Sequence, residues 1–507
     1  MSHSLGRRLG GALAGLALAV AVVHPAFAET LADAIEAAYD NNPNLAAQRA
    51  TQRALDETYV QARTGWRPTL TLQAQGSYNY VWTPLTPIQQ LEGFKSRQRG
   101  NEGVAQLTFN QPIWTGGRTA AAVSAANADV LSGRETLRRL ENQLLAQVVQ
   151  AYADVRRDQQ SLEIRRADVE VLGGQLKESQ ARFDVGEITR TDVAQSQARL
   201  ASSQANLRNA EAQLATSRAT YAALVGHNPG TLEPEPSLAY LMPGNVDEAF
   251  DVAERNSPLL RGQQYAEQAS RARVAGARAE RMPAVSLQSS LAFANGPIDP
   301  FVQGLYDTEQ TARVTVTVPL FNGGLTTSRV RQAIERNNSD RITVETQRRS
   351  VLQTVTQSWN QILAARANIA TTEEEVRAAT VAAEGTHEEQ KVGLRSTIDV
   401  LNAEQELRAA QLSSIGARHD EYVISASLLA AMGRLEARNL IPSQPQYDPR
   451  ANFRRLRITW GWVPWEEPIS VLDRALALPP IPQPKVLGRE PAIGPGLQPP
   501  PTPTQAR

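Results

Sequence analysis

The chain contains no cysteine, which excludes disulfides, thiolate chemistry and Cys-based metal sites. Aromatic residues are scarce, at 5%. At about 150 residues per domain, 507 residues suggest roughly three globular domains, yet so few aromatics cannot fill three thick cores. No excess charge of either sign exists, since 52 basic residues balance 52 acidic ones, and no nucleic acid or other polyanionic partner is implied. Lysine is nearly missing, with only Lys95, Lys177, Lys391 and Lys485, a bias that reads as genome composition rather than as a site. Beyond the N-terminus no apolar stretch approaches the ~20 residues of a spanning helix. Any membrane crossing must therefore be made by strands. What dominates instead is Ala, Gln, Arg and Glu, the profile of long helices packed through narrow seams.

The N-terminus carries Arg7 and Arg8, an apolar run over 9–23 and the small-x-small site Ala26-Phe27-Ala28. This pattern predicts an export signal over 1–28. A retained membrane anchor is the alternative, but the run is short and ends in a cleavage pattern. No Cys follows the site, so the mature end cannot carry a lipoprotein's lipid.

The sequence repeats itself. Asn42-Pro43 matches Ser257-Pro258, and Arg67-Pro68 matches Met282-Pro283, at an offset of 215. Gln111-Pro112-Ile113-Trp114-Thr115-Gly116-Gly117 matches Val318-Pro319-Leu320-Phe321-Asn322-Gly323-Gly324 at an offset of 207. Val185-Gly186, Asp192 and Gly226 match Val392-Gly393, Asp399 and Gly433 at the same 207. The offset shifts once, which places one exposed loop near 82–102. Two long units are too few for a solenoid; they describe a two-fold architecture. The expected layout is a first repeat over 29–245 and a second over 246–435. A segment over 436–478 at mid-height and a Pro-rich, disordered tail over 479–507 follow.

Within each repeat a helix of about 35 residues comes first (31–63; 246–281). Two alternating segments follow, over about 68–82 and 103–114, then 283–294 and 311–321. Leu70, Leu72, Ala74, Tyr78, Tyr80 and Trp82 alternate with Thr71, Gln73, Gln75, Ser77 and Asn79, which is period two with one apolar face. A soluble sheet would look the same. Strand length and the aromatic residues near the strand ends favour a membrane wall. After each Gly-Gly pair comes a helical hairpin (117–226; 324–433). The first limbs of 69 residues are about 100 Å long at ~1.5 Å per residue. Val148, Val155, Leu162, Val169, Leu176 and Phe183 recur every seven, as coiled-coil seams do. The shorter return limb and the next repeat's first helix, stacked end to end, match one long limb. Trp460, Trp462 and Trp465 join the mid-height belt in this reading, as packing or as a ligand site.

Four strands cannot close a barrel, and an open edge in lipid leaves backbone groups unsatisfied. Several chains must pool strands, and three give twelve. Over 31–435 the chain resembles the TolC family of outer-membrane efflux and type I secretion channels. The resemblance rests on the duplication, the strand pairs, the Gly-Gly turns and the tip pattern Val-Gly-x-x-Ser/Thr-x-x-Asp-Val. It implies a mainly α fold with a small β part: duplicated helix-strand-strand-hairpin units in a homotrimer. A 12-stranded outer-membrane β-barrel would continue into a long periplasmic α-helical barrel. It also implies docking to a periplasmic adaptor and to an inner-membrane ABC or proton-driven transporter, for export of proteins or small toxic compounds from a Gram-negative cell. By resemblance, Val185, Gly186 and Thr189, with Val392, Gly393 and Ser396, form the adaptor-docking turns. Asp192 and Arg395 match the latch that ties the tunnel shut, and Asp399 the entrance ring of carboxylates. The chain departs from the family at Gln390, where some members carry a gating Tyr, and at Asn402, where they carry a second acidic ring. The other reading of Asp192 and Asp399 is capping of helix starts.

No catalytic constellation emerges. His3, His24, His227, His387 and His419 form no ligand cluster, and His387-Glu388 fails as a zincin motif because Lys391 holds the second His position. Phosphate-loop and nucleophile-elbow patterns are missing, so no enzyme activity, cofactor or metal is expected. A periplasmic coiled-coil adaptor is the rival reading, but it needs neither two hairpins nor four alternating strands.

Overall fold

The computed structural model describes residues 28–82, 84–93, 97–295, 307–442, 444–456 and 458–478. All but the last residue of the expected signal, and the whole Pro-rich tail, lie outside them. Helix α1 (Leu31–Asn41) opens with a Thr30/Asp33 capping box and buries Leu31, Ala34, Ile35, Ala38 and Tyr39 at helical spacing. The single helix expected over 31–63 is two. Pro43 has no N–H to donate and drives Asn42 out of helical geometry. The Asn42 side chain then caps α2 (Pro43–Arg63) by accepting from the backbone N–H of Asn44 and Leu45. The chain continues through β1 (Thr69–Trp82), α3 (Pro87–Leu91), β2 (Arg97–Trp114), α4 (Arg118–Asp184) and α5 (Arg190–Val225). The second repeat breaks likewise, at Ser257-Pro258, between α6 (Val246–Asn256) and α7 (Pro258–Ala279). It proceeds through β3 (Ala284–Asn295), β4 (Asp307–Thr317), α8 (Leu325–Lys391) and α9 (Thr397–Ala431). Short helices α10 (Ala437–Leu440), α11 (Pro449–Arg455) and α12 (Glu466–Ala475) follow.

The strands form one antiparallel sheet in the order β1-β2-β3-β4. Leu72, Leu107 and Leu291 line up across three strands on one face, and Thr71, Thr108, Ser290 and Thr311 across all four on the other. β2 reaches further than expected, to Arg97, and absorbs Pro112 through a bulge between Pro112 and Trp114. Its counterpart β4 ends at Thr317, short of the expected 321. Pro319, just beyond that end, has no N–H to give to a ladder.

α4 runs along α5, then α7 and α2, while α8 runs along α9, then α7 and α6. A belt core near the middle of α4 joins Tyr152, Tyr221, Val355, Leu429 and Met432, all fully buried. Above and below it packing thins. The heptad column is buried from Val148 to Leu162, but Val169, Leu176 and Phe183 emerge toward solvent and Asp168, Gln175 and Ser179 enter the seam. A seven-residue repeat on a helix of 3.6 residues per turn drifts ~20° per heptad, which over four heptads carries the column off the contact.

The C-terminal segment departs most from expectation. It starts in the belt, where the Arg138 Nε donates to Glu436 over 2.9 Å, but does not stay there. It climbs α2, with the Asn452 amide donating to Asp56 over 2.9 Å and Phe453 against Tyr59, and α12 ends under the sheet. Buried carboxylates pull it up: Glu466 accepts from Arg63 and Arg67 at 2.6 and 2.9 Å. Trp460, Trp462 and Trp465 consequently stand at the foot of the sheet, not at mid-height.

Candidate channel tips and strand wall

Each hairpin reverses through a glycine in the left-handed region, Gly186 (φ 81°) and Gly393 (φ 78°), where a side chain would be strained. Val185 and Val392 are exposed beside them. The return limbs start with capping boxes that use the expected site residues. The Thr189 hydroxyl donates to Asp192 over 2.8 Å, and the Ser396 hydroxyl to Asp399 over 2.6 Å. Those hydroxyls, with the backbone N–H of the same residues, hold both carboxyls below the ordinary range.

Arg395 donates to Glu389 of its own hairpin over 2.7 Å, which raises its pKa further. Among the described residues no ion pair joins Arg395 to Asp192. Gln390, expected in the gating position, is 1% exposed and lies between the hairpin limbs, with its amide 3.4 Å from the Thr397 hydroxyl. Asn402 accepts from Arg199 over 3.0 Å, and Arg199 also donates to Gln405, so this group crosses from α5 to α9. Sequence reasoning missed Arg199, Glu389 and Gln405. The 207 offset sets Arg199 opposite Glu406 and Asn402 opposite Gln195, so partners in this bridge occupy unrelated repeat positions and carry no repeat signal.

At the other end, Leu70, Leu72, Tyr78 and Trp82 of β1 and Val314 and Val316 of β4 are exposed on one face of the sheet. The outward apolar stripe, the open edges on both sides and the paired long hairpins below form a strand wall on a helical duct. No described helix is long and apolar enough to cross a membrane.

The outer membrane efflux protein family model matches the chain twice, over residues 34–227 and 249–434. The chain belongs to this family. As an outer membrane efflux protein it is an exit duct of the outer membrane, with its helical barrel in the periplasm. The two matched segments follow the duplication read from the sequence. The efflux protein BepC of Brucella suis is 33% identical over 439 residues, covering 86% of this chain and 92% of BepC. The alkaline protease secretion protein AprF of Pseudomonas aeruginosa is 26% identical over 422 residues, covering 82% and 86%. Among solved structures, the outer membrane protein VceC of Vibrio cholerae superposes with a TM-score of 0.69 at 21% identity, covering 80% of this chain and 96% of VceC. That likeness shows the fold. The relatives are efflux and secretion proteins rather than enzymes, which favours the duct over the rival coiled-coil adaptor.

Proposed function

We propose that three copies of the chain pool their strands into a twelve-stranded barrel, with six helical hairpins forming the tunnel beneath. The observation that carries this reading is the open sheet: β1 and β4 each have one unpaired edge, and an apolar wall in lipid cannot leave such edges unsatisfied. The tips at Val185-Gly186-Thr189 and Val392-Gly393-Ser396 dock a periplasmic adaptor, which couples the duct to an inner-membrane ABC or proton-driven transporter. Proteins or small toxic compounds are the cargo.

The latch works by partner exchange. Arg395 holds Glu389 on its own hairpin and, in the closed trimer, turns to Asp192 of the adjoining hairpin. A bidentate, partly desolvated Arg–carboxylate pair outweighs the roughly 0–1 kcal/mol of an exposed one. Asp399 lends the entrance its cation preference, while Gln390 braces the hairpin from within and Asn402 binds Arg199 to hold the two hairpins together. Mass measurement in detergent tests the assembly: trimers are expected, and stable monomers with folded strands overturn it. Planar-bilayer recordings test the latch. Arg395→Ser should raise conductance and Asp399→Asn should weaken cation preference at unchanged conductance, whereas parental conductance of Arg395→Ser removes Arg395 from the latch.

A further inference from the structure

Helix α12 buries two carboxylates. A surface helix ordinarily turns its apolar stripe to the protein and its charges to water. Here Glu466, Ser470 and Asp473 are the buried residues, both carboxylates 0% exposed, and Ile469 packs beside them against the Trp66 cluster. Asp473 accepts from the backbone N–H of Thr115, Gly117 and Ala120 and from the Trp66 ring N–H, all within 3.1 Å. Its outer side carries Val471, 62% exposed, with Leu472 and Leu476 also exposed and the charged Glu467 and Arg474 flanking Val471 one turn to either side. The loop before it also exposes Ile458, Trp460, Trp462 and Trp465, with Trp460 wholly exposed. An apolar patch of this extent is uncommon on a surface facing water.

Its position says what covers it. The Trp465 ring N–H donates to Gln111 over 2.9 Å. In β2, Gln111 follows Leu107 and Phe109 at a spacing of two and so shares their apolar face. The Trp loop is thus continuous with the foot of the wall that meets lipid. Arg455 and Arg454, the latter paired with Asp448 over 2.6 Å, stand exposed on α11 just before it, as cations do beside phosphate headgroups.

We propose that residues 458–476 form an interfacial anchor lying in the periplasmic leaflet of the outer membrane, with the tryptophans and the Val471 side immersed among phospholipid headgroups and upper acyl chains. The anchor is a second membrane contact, separate from the strands. Tryptophan favours this interface because its ring is apolar and its N–H polar, and an amphipathic helix lying in the plane adds buried apolar area. The inward carboxylates complete the design by fixing the helix to the protein.

Because the chain has no cysteine, one introduced thiol reports one place. Full-length Trp460→Cys, Val471→Cys, Leu72→Cys and Val381→Cys carry a fluorophore in nanodiscs of phosphatidylethanolamine and phosphatidylglycerol. Quenching is read with doxyl-labelled phospholipid and, separately, with aqueous iodide. Positions 460 and 471 should be quenched by lipid several-fold more than position 381 on the tunnel, and more by a shallow than by a deep doxyl group. Iodide quenching at 460 and 471 equal to that at 381 overturns the anchor. Protection from both quenchers overturns it too, because a second copy of the chain then covers the patch. A label at 72 that lipid does not reach overturns the barrel reading together with the anchor, whereas lipid quenching at 72 alone overturns only the anchor.

Discussion

The two Gly-Gly junctions share a backbone and little else. Gly116, Gly117, Gly323 and Gly324 all lie in the left-handed region, at φ 70°, 84°, 63° and 82°, because each pair must turn a strand into a long helix. The first junction is enclosed: a Cβ on Gly117 would stand 2.8 Å from that of Ala477, and one on Gly116 2.5 Å from that of Met282. The second has nothing within 4 Å of either glycine, and Leu320 and Phe321 beside it are 92% and 90% exposed. Asp473 supplies the first helix with the acceptor that its glycine N-cap lacks. The second N-cap, Gly324, also has no side-chain cap, and its neighbour Asn322 donates only to the Thr326 hydroxyl. Duplication therefore supplied the turn twice, and a segment outside the repeats reinforced one copy.

The sharpest way to break this asymmetry is Asp473→Ala. Removing a buried charged acceptor strands several donors, so the loss should be about 3–5 kcal/mol, read by chemical denaturation of the solubilised protein through Trp66 fluorescence. Asn322→Ala at the sister junction should cost under ~1 kcal/mol. Equal effects would mean the strap does not distinguish the junctions. Next, Gly117→Val and Gly324→Val each force a side chain into positive φ at roughly 1–3 kcal/mol. Only the first also collides with Ala477, so its melting temperature should fall further.

The hairpins sharpen the comparison at smaller scale. The first hairpin mixes polar contacts into its seam, where the Ser203 hydroxyl donates to Asp168 and the Ser217 hydroxyl to Asp158. The second closes over Val355, Ile362, Ala383 and Leu401. Asp168→Ala should cost on the order of 1–3 kcal/mol by leaving buried polar groups unpaired, while the conservative Asp168→Asn should recover part of it; an unchanged midpoint for Asp168→Ala would sink the polar-seam account. The smallest effect depends on pH. Burial pushes the His419 pKa down, but hydrogen bonds to Asp154 at 2.8 Å and Asp420 at 2.9 Å more than offset it and leave the pKa raised. A raised folded pKa gives stability that is complete below the ordinary value of about 6.5 and lost as pH rises through the folded value. His419→Gln should flatten that step in a pH series of melting temperatures; a step that persists belongs to other groups.

Much of the fold was legible because its signals are periodic. Leu70, Leu72 and Ala74 announce a strand face, Val148 to Leu162 a seam, and Gly116-Gly117 and Gly323-Gly324 the turns between them. The breaks at Pro43 and Pro258 were legible too, as N1 prolines after Asn42 and Ser257, but length matching against the long limb masked them. The path of 436–478 was not legible. It is drawn by Glu466 and Asp473 to partners about 400 residues away in sequence, and no local pattern encodes such a reach. The capping reading of Asp192 and Asp399 was legible because that chemistry is local, at Thr189–Asp192 and Ser396–Asp399. Arg199 was missed because its partners, Asn402 and Gln405, lie on another hairpin.

The belt core also has a mechanical meaning. It grips the helices near mid-length, holding α5 from Leu214 onward, and leaves residues 190–213 of that helix projecting about 36 Å beyond it at ~1.5 Å per residue. Seen this way the belt is a fulcrum and each hairpin a lever arm. A tilt of about 5° at the fulcrum displaces the far end by roughly 3 Å, given that rise. Packing shifts too small to disturb Tyr152 or Met432 are thus amplified, and a force applied to the Val-Gly turns acts on the belt with the full leverage of the arm.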